Sequence, residues 1–259
     1  MHPTSVLHIP HSSTRIPPEE RRSLHLSDQA LQTELIKMTD WYTDELFNIG
    51  TDAVIPIIFP VSRLIVDPER FEDDALEVMV AKGMGVIYTR TSDGDKLRKP
   101  LDQHERDRML RAYYRPHHAK LNSEVTNTLE NRGKALIIDC HSFPSKPHQH
   151  ETHQSKDRPD ICIGTDPFHT PDWLTESIRS DFLNRGYSVE INRPFSGALV
   201  PINFYQKEKA ISSIMIEVNR RLYLSEDTGS KGTSFFYVKE VINDVVSSLI
   251  NTFNAQSLV

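Results

Sequence analysis

Apolar residues in this chain follow two different spacings, and each spacing predicts one kind of element. Six short runs rich in Val and Ile are typical of buried strands. They are residues 5–11, 53–61, 135–141, 161–164, 187–191 and 212–218. Pro56 interrupts the second run, which favours an edge strand or a bulge because proline has no N–H to donate to the ladder.

Apolar residues three or four positions apart predict helices in much of the remaining chain. These helices are residues 28–50, 74–84, 103–132, 173–184 and 233–253. Asp28 is placed as an N-cap, Gly50 as a stop signal and Pro116 as a kink in the longest helix. The strands and helices alternate without an internal repeat or a linker. This order predicts one α/β domain over residues 1–259, with a mixed, mostly parallel central sheet flanked by helices.

Composition narrows the class of protein without naming a function. The chain has 259 residues, 37% hydrophobic and 25% charged, which is typical of an ordinary globular domain. A net charge of −6 argues against a broad nucleic-acid surface, which needs a basic stripe. Two cysteines cannot build a disulfide framework, and no stretch approaches the roughly 20 apolar residues of a membrane span. Because the N-terminus also lacks a signal-peptide pattern, we expect a cytoplasmic protein.

Two of the predicted strands end in a histidine, His11 and His141. The carboxyl ends of strands in an open α/β sheet gather ligands and catalytic groups, so the two imidazoles are candidate metal ligands. A catalytic zinc site commonly has three protein ligands. Asp40 and Asp44, one turn apart on the first long helix, are the candidates for the third, with Asp40 preferred. The simpler interpretation is that both are solvated helix carboxylates.

Other polar residues stand at or near strand ends. Glu217 lies inside an apolar strand, where a carboxylate needs a partner. That partner is a group at a metal site or, more simply, Arg220 or Arg221. Asp139 shares a strand face with His141, so we expect it to orient that imidazole rather than to bind the metal.

Several other polar residues are expected to lie outside the site. The loop 145–159 carries three histidines, His148, His150 and His153, which we expect mostly at the surface. Cys140 points away from His141 along the strand and is expected in the core. No glycine-rich nucleotide loop and no nucleophile elbow occurs in the sequence.

Six segments together resemble the N-formylglutamate amidohydrolases, a family related to zinc carboxypeptidases and aspartoacylases. They are HIPHSSTRIP (8–17), TDW (39–41), SRLIVDPER (62–70), YRPHH (114–118), IDCHS (138–142) and EVNR (217–220). The resemblance implies a zinc-carboxypeptidase-like fold of the phosphorylase/hydrolase-like kind. It also implies one zinc ion per chain, held by His11, Asp40 and His141. The carboxypeptidases place an acid three residues after the first histidine, where this chain has Thr14.

The resemblance further assigns roles to residues near the metal. Glu217 is expected as the general base, and Arg63 and Arg70 as the groups that bind the carboxylates of the substrate, Arg63 also stabilising the oxyanion. Asn192 and Arg193, after the fifth strand, are added as substrate-binding candidates.

The expected reaction is removal of a formyl or other small acyl group from an N-acylated acidic amino acid, such as N-formyl-L-glutamate, by zinc-activated water. The alternatives are a zinc peptidase acting on short or cell-wall peptides, and a non-catalytic binding protein of the same fold.

Overall fold

A computed structural model describes residues 3–256 of the chain, and it forms one α/β domain. The six strands are β1 (Ser5–Ile9), β2 (Val54–Ile58), β3 (Ala135–Phe143), β4 (Ile161–Gly164), β5 (Val189–Ile191) and β6 (Ile211–Asn219). The α-helices are α1 (Pro18–Arg21), α2 (Asp28–Met38), α3 (Thr43–Leu46), α4 (Gln103–Met109), α5 (Arg115–Arg132), α6 (Asp172–Asn184) and α7 (Phe235–Ala255). Every predicted strand is present, with ends shifted by a few residues.

The strands form one mixed sheet in the order β2-β1-β3-β6-β4-β5. All neighbouring pairs are parallel except β4 and β6, which run antiparallel. The predicted mixed, mostly parallel sheet is therefore confirmed. β2, which contains Pro56, is an edge strand, as the missing N–H of proline requires.

Side chains of the central strands alternate between two apolar layers. Leu7 and Ile138 pack with α6 and α7 on one face, whereas Val6 and Ile137 pack against α5 on the other. Because successive side chains point to opposite faces, the polar residues between those of the first layer lie on the α5 face. They are His8, Asp139, His141 and Glu217. The sheet therefore collects its chemistry-bearing residues on one side.

The helix predicted over residues 28–50 is wrong in its second half. α2 ends at Met38, because Thr39 takes an extended conformation (φ −82°, ψ 138°). Tyr42 then has a positive φ of 62°, and only the short α3 follows. The apolar spacing continued through this segment because the turn also buries Leu46 and Phe47, so periodicity alone did not reveal the break.

One other predicted helix is wrong, and another agrees in its bounds and in its irregularity near Pro116. Within residues 74–84 only a 3₁₀ turn, Val78–Lys82, forms, and Leu76 and Val78 stay exposed, so no apolar face stabilises a longer helix. The helix predicted over residues 103–132 is interrupted by a π-helical segment, Leu110–Tyr114. This segment precedes Pro116, which has no N–H for the preceding turn.

A separate apolar cluster supports the segment between β2 and the 3₁₀ turn. Leu31 and Leu35 of α2 pack there with residues 64–66 and with Met109. This packing fixes the backbone that carries Arg63 and Asp67 near the carboxyl ends of the strands. No helix within residues 3–256 is long and apolar enough to span a membrane.

Candidate active site

His11, Asp40 and His141 come together at the carboxyl ends of β1 and β3. One nitrogen or oxygen atom from each residue lies within 4.8 Å of the other two, and all three side chains are buried. Asp40 Oδ2 lies 3.2 Å from His141 Nδ1 and 3.6 Å from His11 Nδ1. These three residues are candidate metal ligands, and we call them the metal-ligand group.

Local backbone structure explains how Asp40 reaches the two histidines. β1 ends at Ile9, and Pro10 carries the chain to His11 just beyond the sheet. The carbonyl of His11 then accepts a hydrogen bond of 3.0 Å from the backbone N–H of Asp40. Asp40 therefore enters from the turn after α2, not from a helix face as predicted. Asp44, the alternative third ligand, is exposed and lies outside the group.

The metal-ligand group has the residue composition of a metal site and a donor nitrogen without a hydrogen-bond partner. Nδ1 of His11 is buried and has no hydrogen-bond partner among the described residues. Two imidazole nitrogens and one carboxylate oxygen are a donor set that suits zinc. A metal ion would use the unpartnered nitrogen, so the residues present fit the cation that the family resemblance implies.

Asp67 supports the His11 side of the group. Its Oδ1 lies 2.8 Å from His11 Nε2, and its Oδ2 accepts hydrogen bonds from Arg63 at 2.8 Å and from the hydroxyl of Tyr88. Although burial alone would raise the pKa of Asp67, the charges of Arg63 and His11 hold it well below its usual value. Asp67 was missed by sequence reasoning, although it stands in one of the motifs that carry the family resemblance.

Asp139 supports the His141 side of the group. Its Oδ1 lies 3.0 Å from His141 Nε2 and 2.8 Å from His8 Nδ1. The expectation that Asp139 faces His141 thus agrees with its position in the fold. Despite complete burial, the neighbouring imidazoles lower the pKa of Asp139, so the carboxylate stays charged.

Arg220 contacts the third member of the metal-ligand group, Asp40. Its Nη2 donates to Asp40 Oδ1 at 2.8 Å, and its Nε donates to the hydroxyl of Ser142 at 3.2 Å. Oδ2 of Asp40 faces the histidines and also accepts a hydrogen bond of 3.3 Å from the backbone N–H of Ser142. Burial opposes ionisation of Asp40, but the histidines and Arg220 lower its pKa well below the usual value.

Glu217 is buried beside His141 with one oxygen unsatisfied. The two residues are register partners on β6 and β3, and Oε2 of Glu217 has no hydrogen-bond partner within residues 3–256. Burial raises the pKa of Glu217 to about 8. The simpler alternative, an ion pair with Arg220 or Arg221, is wrong, because Arg220 pairs with Asp40 and Arg221 with Asp160.

Arg63 and Arg70 lie on the Asp67 side of the metal-ligand group. Arg63 uses Nε and Nη2 on Asp67, and Arg70 uses Nε and Nη1 on the carbonyls of Met84 and Glu69. The remaining terminal nitrogen of each guanidinium has no protein hydrogen bond in the described part of the chain. Both arginines are therefore held in place by the protein and still have donors to offer.

Asn192 and Arg193 are placed at the far edge of the sheet, after β5. Asn192 exchanges hydrogen bonds with Thr165, and Arg193 pairs with Glu190 at 3.2 Å and is about half exposed. Among residues 3–256, no hydrogen bond or ion pair connects them to the metal-ligand group. Their role in substrate binding stays a prediction.

The loop histidines are less exposed than the sequence predicted. His148 and His150 are partly buried, and their rings lie 3.2 Å from the carbonyl of Lys37 and 3.4 Å from the carbonyl of Ser92, respectively. Burial lowers the pKa of both to about 4. Only His153 is exposed as expected, and Cys140 lies in the core as predicted.

Comparison with known proteins gives consistent matches. The sequence model of the N-formylglutamate amidohydrolase family matches residues 4–224. The N-formylglutamate deformylase of Pseudomonas putida is 26% identical over 235 residues, covering 85% of this chain and 82% of that protein.

Two solved structures share the fold. The N-formylglutamate amidohydrolase of Ralstonia eutropha JMP134 superposes with a TM-score of 0.83 at 20% identity, over 97% of this chain and 95% of the other. A gene product from Agrobacterium tumefaciens has a TM-score of 0.66 at 17% identity, over 95% of this chain and 91% of the other. With the family match extending over most of its length, this chain belongs to the N-formylglutamate amidohydrolase family.

Proposed function

We propose that this protein is a metal-dependent hydrolase that releases formate from N-formyl-L-glutamate or a closely related N-acylated acidic amino acid. The observation that carries the proposal is the buried metal-ligand group with the unpaired carboxylate of Glu217 beside it. The names of the matched family and of the relative from Pseudomonas putida support the same substrate.

His11, Asp40 and His141 would hold the metal ion, for which zinc is the first choice. When bound there, zinc supplies Lewis-acid chemistry, polarising a carbonyl and favouring ionisation of water. Asp67 and Asp139 orient the two imidazoles from behind, and Arg220 fixes the free oxygen of Asp40.

Glu217 is the proposed general base. It accepts a proton from the water that attacks the formyl carbon and then gives this proton to the departing amine nitrogen. Burial raises the pKa of Glu217 to about 8, so this carboxylate binds a proton more readily than an exposed carboxylate does. The carbon–nitrogen bond breaks, and the products are formate and the free amino acid.

Arg63 and Arg70 are the proposed anion-binding residues. Arg63, fixed by Asp67, would stabilise the developing oxyanion, and Arg70 would bind a carboxylate of the substrate. Local positive charge suits an acidic substrate even though the chain as a whole is negative.

The direct test measures formate release from N-formyl-L-glutamate together with the metal content of the purified protein. We expect about one zinc ion per chain, lost in His11→Ala and His141→Ala. A metal-free protein that binds acidic ligands without turnover would instead be the non-catalytic alternative. Release of amino acids from short peptides, without formate release, would favour the peptidase.

Glu217→Gln tests the base separately from the metal. We expect the variant to retain zinc and to lose turnover by about 10²- to 10⁴-fold, the usual contribution of general acid–base catalysis. Glu176→Gln, which alters an exposed carboxylate on α6, is the matched control and should keep full activity. Full activity in Glu217→Gln would show that another group is the base.

A further inference from the structure

A second set of titratable side chains lies behind the metal-ligand group on the α5 face of the sheet. His8 is completely buried, with Nδ1 at 2.8 Å from Asp139 Oδ1 and 3.2 Å from Glu69 Oε1. Its Nε2 lies 2.9 Å from Nε2 of His117, which α5 supplies. The ring of His8 thus has a polar neighbour at both nitrogens.

The surroundings of His8 determine where its protons lie. Two carboxylates face Nδ1, so this nitrogen must carry a proton that it donates. A buried carboxylate and a partly buried one without a cation would be costly, which favours a second proton on Nε2. Although burial opposes the charge, Asp139 and Glu69 raise the pKa of His8 to about 9, whereas burial lowers that of His117 to about 2. His8 therefore donates at both nitrogens, and neutral His117 accepts.

We propose that His8, whose ring is held between Glu69 and His117, is a positioning residue that fixes Asp139 against His141. Asp139 Oδ1 contacts both rings, at 2.8 Å from His8 and 3.0 Å from His141. A fixed Asp139 keeps a carboxylate 3.0 Å from His141 Nε2, which favours a proton on that nitrogen and leaves Nδ1 for the metal. This inference rests on the metal centre of the proposed function and adds a residue that contacts neither metal nor substrate.

The same atoms offer a competing arrangement. One atom each from His8, Glu69 and Asp139 lies within 4.8 Å of the others, so these three side chains have the composition of a second metal site. Nδ1 of His8 cannot hold a proton and a metal ion together. The positioning role and the second metal site therefore exclude each other and predict different metal stoichiometries.

The first experiment measures zinc stoichiometry and affinity by competition with a chelator. We expect one zinc ion per chain in the wild type, and an affinity about 10- to 100-fold weaker in His8→Leu. His8→Asn, which keeps a neutral donor near Nδ1, should recover part of the loss. His169→Asn removes another buried histidine, one bonded to the backbone of Ile211 and Gln206, and should leave the affinity unchanged.

The outcomes separate the inference from the proposed function. Unchanged zinc affinity in a folded His8→Leu variant overturns the positioning role and leaves the metal centre intact. Two zinc ions in the wild type and one in His8→Asn would show a second metal site instead. A wild-type protein that binds no zinc overturns the proposed function itself.

A second measurement does not depend on the folding of any variant. Ring ¹⁵N chemical shifts of labelled wild-type protein report the protonation of each histidine nitrogen. Near pH 7 we expect His8 to carry protons on both nitrogens before and after zinc is added, and His141 to keep its Nε2 proton in the loaded protein. Loss of the Nδ1 proton of His8 on zinc addition would contradict the inference.

Discussion

The two histidines of the metal-ligand group have the same kind of support but different sources of positive charge. On one side, His11 contacts Asp67, which Arg63 holds at 2.8 Å. On the other side, His141 contacts Asp139, which His8 holds at 2.8 Å. We call these two sets the Arg63 arm (His11, Asp67 and Arg63) and the His8 arm (His141, Asp139 and His8). In each arm a carboxylate lies between a candidate ligand imidazole and a cation. Arg63 carries a permanent charge, whereas the charge on His8 depends on a proton.

The positive charge of the Arg63 arm is therefore fixed, whereas that of the His8 arm is titratable. The neighbouring charge of Asp67 raises the pKa of Arg63 further above an already high value, so no physiological pH discharges it. The pKa of His8 is about 9, so its charge is lost in moderately alkaline solution. Both carboxylates have lowered pKa values and keep their charge well into the acid range. The two arms should therefore respond alike to acid and differently to alkali.

The largest effect should come from Asp40, because Oδ2 of this residue lies close to both histidines. In Asp40→Ala we expect zinc to be lost and formate release to fall to the uncatalysed rate, as measured by metal analysis and a formate assay. Asp44→Ala, four residues further on and exposed, is the matched control and should retain both. Equal losses in the two variants would show that the assignment of Asp40 is wrong.

The next effect compares the two supporting carboxylates. Asp67→Asn leaves Arg63 and Arg70 buried without their shared anion, which costs about 3–5 kcal/mol for a broken buried pair. Asp139→Asn should cost less, because His8 can release its proton and Glu69 remains beside it. Urea unfolding of both variants measures the difference. A larger loss in Asp139→Asn would reverse the assignment of the fixed and titratable arms.

The smallest effect is the pH dependence of the His8 arm. The pKa of His8 is raised from 6.5 to about 9 in the folded protein. The stabilisation of the folded state that results is complete below pH 6.5 and is lost as the pH rises through about 9. The free energy of unfolding should fall by at most about 3 kcal/mol over this interval. His8→Asn should lack this component, so the difference between the two pH profiles isolates it. Parallel profiles would mean that His8 is neutral in the folded protein.

Much of the sheet could be predicted from sequence, because buried strands are marked by short β-branched runs. All six strands and the edge position of β2 agree with the predicted pattern. Helix boundaries were less predictable. The break at Thr39 and the unformed helix at 74–84 depend on which apolar residues find a packing partner, and periodicity does not contain this information.

The candidate site, like the fold, could be predicted from sequence only in part. Strand alternation placed Asp139 and His141 on one face, and the cost of a buried carboxylate singled out Glu217. The sequence favoured Asp40 over Asp44 but placed it on a helix face, whereas a backbone hydrogen bond from Asp40 to His11 brings it to the histidines. His8 does not belong to the metal-ligand group. Its role emerged only with Asp139, Glu69 and His117 around it.

By itself, the sequence determined that strands would deliver histidines and a carboxylate to one edge of a mixed sheet, because strand periodicity and burial are local properties. Only the tertiary structure decided which cation supports which carboxylate. His11 and Asp67 are 56 residues apart, and His8 and Asp139 are 131 residues apart. Such pairs form when strand order and loop packing bring distant segments together, and their electrostatics follow from burial that the whole fold creates.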